Sequence, residues 1–209
     1  MLVIVTGADH IKQETAIIRR ERYIEYMLSL SRIFSYDIPV AGVLSDFSPA
    51  VDSPPFDTFP FLINEKLRLG ELDGYNKSQK EFIAIGRLLT KLADKDIANH
   101  TFIIKASGRY LLTDDSFVRL VKASSDSPTD AIIRLCDNDT QMYTFLFAVR
   151  YNYFKEFYAQ GISILDGNKN VERAVLEFLM KKGLLKKTLR VNHLGILANI
   201  NNKNTFVIY

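Results

Sequence analysis

The stretch TFIIKASGRYLLTDD, Thr101–Asp115, decides how the chain is read. Thr101 to Lys105 form an apolar run of the length of a buried strand. The run then meets Ser107-Gly108-Arg109-Tyr110, where a glycine interrupts the pattern and hydroxyl and charged groups converge. A strand that delivers lysine, serine and arginine beside a glycine has the chemistry of a ligand-facing turn. In sheets of parallel strands, ligands bind beyond the carboxyl ends.

The segments on either side supply the sheet. Upstream, Asn76 is a good N-cap and Ser78 an acceptable one, with Glu81 three residues on in the capping-box position. Phe82, Ile83, Ile85, Leu88, Leu89 and Leu92 then repeat at helical spacing. Further back, Leu2–Val5 and Val40–Leu44 read as strands, ended by Thr6-Gly7-Ala8-Asp9 and Ser45-Asp46. A helix pattern between them runs from about Gln13 to Phe34 through Ile17, Ile18, Tyr23, Ile24, Met27, Leu28 and Leu30. Ser48 to Pro60 holds four of the six prolines and reads as an irregular loop. Downstream come a short helix at 116–123, a strand at 131–135, an apolar run at 142–149 and the aromatic RYNYFKEFY. An amphipathic helix follows at 171–182 with Gly183 as its stop, then strands at 188–191 and 206–208. Alternating strands and helices predict an α/β fold with a mixed, mainly parallel central sheet flanked by helices.

Composition narrows the function. A chain of 209 residues, 47% hydrophobic and 24% charged, suits one folded domain rather than a disordered segment. The net charge of +3, spread along the chain, argues against a nucleic-acid binder. The one local basic cluster, Lys181-Lys182 with Lys186-Lys187, reads as a solvated helix end. The single cysteine, Cys136, excludes an internal disulfide, and three scattered histidines argue against zinc. No apolar run reaches the roughly 18 residues of a membrane span, and no basic n-region opens the chain, so a cytoplasmic location is expected. The apolar TFVIY at 205–209 reads either as a strand that ends the domain or as a cut from a longer protein, of which the chain would be the N-terminal part.

The strand ends lack G-x-G-x-x-G, G-x-x-x-x-G-K-[ST] and G-x-S-x-G. Short turns, lysine, arginine and carboxylates are what remain, and they fit a phosphate-bearing ligand held by point charges and helix N-termini. Lys77 stands at such an N-terminus, and Arg109 can grip a diphosphate bidentately. Lys105 either serves the same ligand or pairs with a nearby carboxylate, because an unpaired buried ammonium is expensive. In CDND, Cys136–Asp139, the two aspartates form a D-x-D that can hold a divalent cation on a diphosphate, or a solvated turn. Glu172 is either a general base or a complement to its helix dipole, and His193 either approaches the phosphates or caps a turn.

NKSQKEFIAIGRLL followed by FIIKASGRYLL is similar to polysaccharide-building glycosyltransferases of the GT-A (Rossmann-like) fold. Over essentially its whole length the chain also resembles chlorella-virus glycosyltransferase domains that build a capsid-protein glycan. The resemblance implies an enzyme of hexosyltransferase type, with a UDP-sugar donor and a glycan or glycoprotein hydroxyl as acceptor. It implies that Thr6, Gly7 and Ala8 line the nucleoside pocket, that Asp46 touches base or ribose, and that Lys77, Lys105 and Arg109 face the diphosphate, with His193 nearby. The carboxylate base would be Glu172 or Asp139. The class places a metal-binding D-x-D at the strand end that here reads Lys-Ala-Ser-Gly. Either cationic side chains replace the metal, or Asp137 and Asp139 bring in Mn²⁺ or Mg²⁺ from the neighbouring strand. A sugar-phosphate nucleotidyltransferase and a non-catalytic nucleotide- or glycan-binding module are the other readings.

Overall fold

Strand β1 (Leu2–Ala8) shows how the molecule is layered. Leu2 and Ile4 enter one apolar cluster while Val3 and Val5 enter another. Successive side chains of a strand point to opposite faces, so a continuous apolar run means a strand covered on both sides. Each fully buried aliphatic side chain, such as Ile4, contributes about 1.5–3 kcal/mol.

The computed structural model describes residues 1–8, 16–47, 55–137, 139–165, 170–200 and 205–208. After β1 come α1 (Ala16–Phe34), β2 (Val40–Phe47), the one-turn α2 (Pro55–Thr58), β3 (Ile63–Arg68) and α3 (Lys77–Leu92). They are followed by β4 (Phe102–Ser107), β5 (Leu111–Leu112), α4 (Ser116–Ala123), β6 (Ala131–Ile133) and β7 (Leu146–Arg150). The remaining elements are α5 (Tyr151–Ala159), α6 (Val171–Lys181), β8 (Thr188–Arg190), β9 (Ile196–Ile200) and β10 (Thr205–Ile208).

Seven strands form the central sheet in the order β3-β2-β1-β4-β7-β6-β8. Only β7 runs against the others, pairing antiparallel with both β4 and β6. The carboxyl ends of β1, β2, β4 and β6 therefore share one edge of the sheet. A smaller antiparallel sheet, β10-β9-β5, follows from the turn after β4. The mainly parallel α/β architecture expected from the sequence is the one observed.

Several boundaries differ from the sequence reading. Thr6-Gly7-Ala8 continues β1 instead of turning, because β2 and β4 pair along it and hold it extended. Likewise β4 runs on through Ser107, and β2 passes Ser45 and Asp46 with an irregularity before Phe47. Asp9 and residues 13–15 lie outside the described residues, as does the 48–54 part of the proline-rich loop. Strands β3, β5 and β9 were not expected from sequence. The capping box of α3 is closed by Gln79, not by Glu81, since Asn76 itself is the N-cap.

At the opposite edge, Arg150 ends β7 with its guanidinium buried over the Phe102 ring, 4.0 Å from the centroid. It donates to the carbonyls of His100, Ser124, Ser125, Ser127 and Thr129, closing that edge with one residue.

Candidate functional site

A cleft opens where the carboxyl ends of β1, β2 and β4 meet the sides of α1 and α3. Its walls are Thr6, Gly7 and Ala8 from β1, Val43 and Ser45 from β2, and Ser107 and Arg109 from the end of β4. Arg22 and Tyr26 of α1 and Lys77 and Glu81 of α3 complete it. Its volume is about 50 Å³, room for a few waters or one phosphate-sized group.

Tyr26 sets the shape of the floor. Its hydroxyl accepts from the Ala8 N–H at 2.8 Å and donates to the Ala8 carbonyl at 3.2 Å, holding the tip of β1 as a neighbouring strand would. Its ring passes so close to Gly7 and Gly108 that a Cβ at either would lie 3.0 Å away. The Ser107–Tyr110 turn that carries Arg109 is fixed from three sides. Gly108 N–H donates to the Thr6 carbonyl at 2.8 Å, and Tyr110 N–H to Ser107 at 3.3 Å. Ser29 Oγ donates to the Tyr110 carbonyl at 2.9 Å.

The electrostatics are those of a cationic site balanced by carboxylates. Arg109 Nε meets Glu25 Oε2 at 2.9 Å, with both side chains largely buried. Lys105 shares the strand face of Ile103, which looks toward α3. There its Nζ meets Glu81 Oε1 at 2.7 Å and donates to the Thr144 carbonyl at 2.8 Å. Lys105 thus lies beneath the cleft wall, with Glu81 between it and the open space. Lys77 is exposed overall, yet desolvation lowers its pKa; Glu81 pulls it back up, and Lys105, Arg109 and Arg22 push it further down.

From Thr144 the polar chain continues. Its hydroxyl donates to Glu172 Oε1 at 2.9 Å, near the start of α6. Tyr158 is buried, and desolvation together with the Glu81 and Glu172 carboxylates drives its phenol pKa well above the ordinary value. Glu81, Lys105, Thr144 and Glu172 form one connected path from the cleft to α6.

The cleft gathers Thr6, Gly7, Ala8, Lys77 and Arg109 of the residues expected from sequence. The others are placed elsewhere. Asp46 sits at the end of β2 with φ 55° and pairs with Lys80 at 2.7 Å. Asp137 and Asp139 are exposed on the turn after β6, Asp139 with φ 53°. His193 is exposed and lies 3.5 Å from Asp114, which also accepts from the backbone N–H of Ser116. Among the described residues, no three His, Cys, Asp or Glu side chains come together as metal ligands. No described helix is long and apolar enough to cross a membrane.

Sequence reading missed Arg22, Tyr26, Glu25 and Glu81. A signal for the first three was present in RRERYIEYMLS: Arg22, Glu25, Tyr26 and Ser29 stand at i, i+3, i+4 and i+7, one polar face of the helix. That face is the one turned inward, with Arg22, Tyr26 and Ser29 buried, while Tyr23, Ile24 and Leu28 are exposed.

No protein-family profile matches the sequence, and no curated protein is significantly similar to it. Solved structures are similar in fold. A nucleoside-diphosphate-sugar pyrophosphorylase from Vibrio cholerae RC9 superposes with a TM-score of 0.57 at 12% identity, covering 94% of this chain and 94% of that one. A 4-diphosphocytidyl-2C-methyl-D-erythritol synthase gives 0.54 at 11%, covering 91% and 89%. A glycosyltransferase involved in the glycosylation of the major capsid of PBCV-1 gives 0.51 at 10%, covering 91% and 81%. The chain therefore has a nucleotide-diphospho-sugar transferase-like fold, with its cationic cleft at the carboxyl edge of the sheet.

Proposed function

We propose that the protein is a glycosyltransferase that moves a sugar from a UDP-sugar to a hydroxyl of a growing glycan. The observation that carries this reading is the cleft itself. Main chain from β1 lies beside Lys77 and Arg109 in a cleft with room for one phosphate-sized group, so a phosphate of the donor meets both cations there while the nucleoside extends out of the cleft. In the transfer, the acceptor oxygen bonds to the anomeric carbon, and the bond from that carbon to the β-phosphate oxygen breaks. UDP leaves with the electron pair. Negative charge builds on the leaving diphosphate, where Lys77 and Arg109 stabilise it. The acceptor proton passes to a carboxylate, for which Glu172 and Asp139 are the candidates. Asp46, next to the cleft residue Ser45, is the candidate for base or ribose, His193 is not among the residues that line the cleft, and the acceptor is a glycan or glycoprotein, a capsid glycoprotein if the viral resemblance extends to function.

Nucleotidyl transfer is the second reading, supported by the likeness of the fold to a pyrophosphorylase and a diphosphocytidyl synthase. Against it, TGADHIKQE, the end of β1 and the residues that follow it, carries one glycine and little basic charge, where a triphosphate-binding loop would be glycine-rich and basic. A screen of UDP-, GDP- and CMP-sugars for slow donor hydrolysis decides among the readings. Release of UDP and free sugar is expected. Pyrophosphate release from a nucleoside triphosphate and a sugar phosphate would establish nucleotidyl transfer instead. Nucleotide binding with no turnover of either kind would leave a binding module.

A further inference from the structure

We infer that Thr144 is a positioning residue for the transfer: its hydroxyl fixes the Glu172 carboxylate that takes the acceptor proton, and its main chain ties that carboxylate to the donor cleft. The inference rests on the glycosyl-transfer reading above and deepens it by choosing Glu172 over Asp139.

Thr144 lies in the segment between β6 and β7, and it is buried. Its Oγ1 donates to Glu172 Oε1 at 2.9 Å, while its carbonyl accepts from Lys105 Nζ at 2.8 Å. Lys105 in turn meets Glu81, a wall of the cleft, at 2.7 Å. The neighbouring residues repeat this double attachment. The Phe145 carbonyl accepts at 2.8 Å from the N–H of Ser107, another wall of the cleft. Met142 N–H reaches the Glu172 carbonyl at 3.5 Å, and Tyr143 N–H donates to the Arg134 carbonyl at 2.9 Å. Residues 142–145 thus bridge the turn that carries Arg109 and the first turn of α6. Two routes join Glu172 to the cleft, one through Lys105 and Glu81, the other through Phe145 and Ser107.

Most side-chain hydrogen bonds go to backbone or water. This one instead holds a carboxylate on a half-buried residue of another element, which fixes the direction of a group that solvent and ligand can reach. A proton acceptor has to stand within hydrogen-bond reach of the hydroxyl it serves, and small misplacements are costly in rate. Thr144 donates to one oxygen of Glu172. As the acceptor oxygen bonds to the anomeric carbon and UDP leaves with the electron pair, the hydroxyl proton passes to the other oxygen of that carboxylate. Asp139 is exposed on the turn after β6, with φ 53°, and would have to be brought into place for each transfer.

The test is hydrolysis of UDP-glucose, UDP-galactose and UDP-N-acetylglucosamine by the full chain, with water as the acceptor, measured beside UDP affinity. Thr144→Val, a near-isosteric change, is expected to lower turnover at saturating donor about tenfold and to leave the donor KM and UDP affinity within about twofold. Thr144→Ser keeps the hydroxyl and should bring turnover back to within about threefold of the parent. Glu172→Gln keeps an oxygen for Thr144 but takes up no proton, and should lower turnover about a hundredfold. Parental turnover in Thr144→Val, an equal loss in Thr144→Ser, or UDP binding that weakens in step with turnover overturns the inference and leaves the donor site in place. Parental turnover in Glu172→Gln does the same, and that change at a half-buried helix start decides the matter even where the valine variant does not fold. Absence of UDP-sugar hydrolysis by the parent protein overturns the glycosyl-transfer reading and this inference together.

Discussion

At the scale of single residues, Lys105 shows how a buried charge is made tolerable. The ammonium is almost fully enclosed, and two oxygens meet it, one from the Glu81 carboxylate and one from the Thr144 carbonyl. Removing one partner of such a pair leaves the other uncompensated, which costs more than the pair itself contributes. Glu81 keeps about a fifth of its side chain exposed, which softens the effect. Lys105→Met is expected to lower the free energy of unfolding by about 2–3 kcal/mol in urea titrations. The double variant Lys105→Met/Glu81→Gln should recover about half of that. A single variant that loses less than about 0.5 kcal/mol would mean that Glu81 relaxes into solvent at no cost.

At the scale of elements, α1 is the unusual piece. Tyr26, Leu30 and Ile33 turn inward as the apolar stripe of a surface helix should, but Arg22 and Ser29 are buried beside them while Tyr23, Ile24 and Leu28 are exposed. Its inward polar groups hold the tips of β1 and of the turn after β4 in register. The turn depends on Gly108 for space, because a Cβ there would lie 2.9 Å from Val5 Cγ1 and 3.0 Å from the Tyr26 ring. Both neighbours are buried and have little room to move. Gly108→Ala is expected to lower Tm by about 3–10 °C, corresponding to overpacking of about 1–3 kcal/mol. Displacement of the neighbouring Arg109 should also reduce the thermal shift produced by UDP. A variant as stable and as responsive as the parent would show that Tyr26 swings aside freely.

At the scale of the whole molecule, the sequence made local structure legible, and left the exact strand ends and the convergence of side chains hidden. Helix α4 was readable from its sequence pattern and the start of α3 from its cap, because these signals are local. Strand β3 was not, since INEKLR alternates too weakly to stand out from a loop, and β5 is two residues long. The reversal of β7 depends on which strands it meets, and nothing within its five residues encodes that. The same divide runs through the cleft. Lys77 and Arg109 were visible because one opens a helix and the other follows a strand, while Glu81 read as a helix cap until tertiary packing set Lys105 beneath it. The cation cluster itself exists only in the folded chain, drawn from positions 22, 77, 105 and 109. That assembly has a calorimetric consequence. Desolvation and the neighbouring cations hold the Lys77 pKa below its ordinary value, and an anion beside it raises the pKa again. Between those two values the liganded protein holds more protons than the free one, so ligand binding draws protons from the buffer. The apparent binding enthalpy of UDP at alkaline pH should therefore vary with the ionisation heat of the buffer, with the slope of proton uptake, and Lys77→Gln should flatten that dependence.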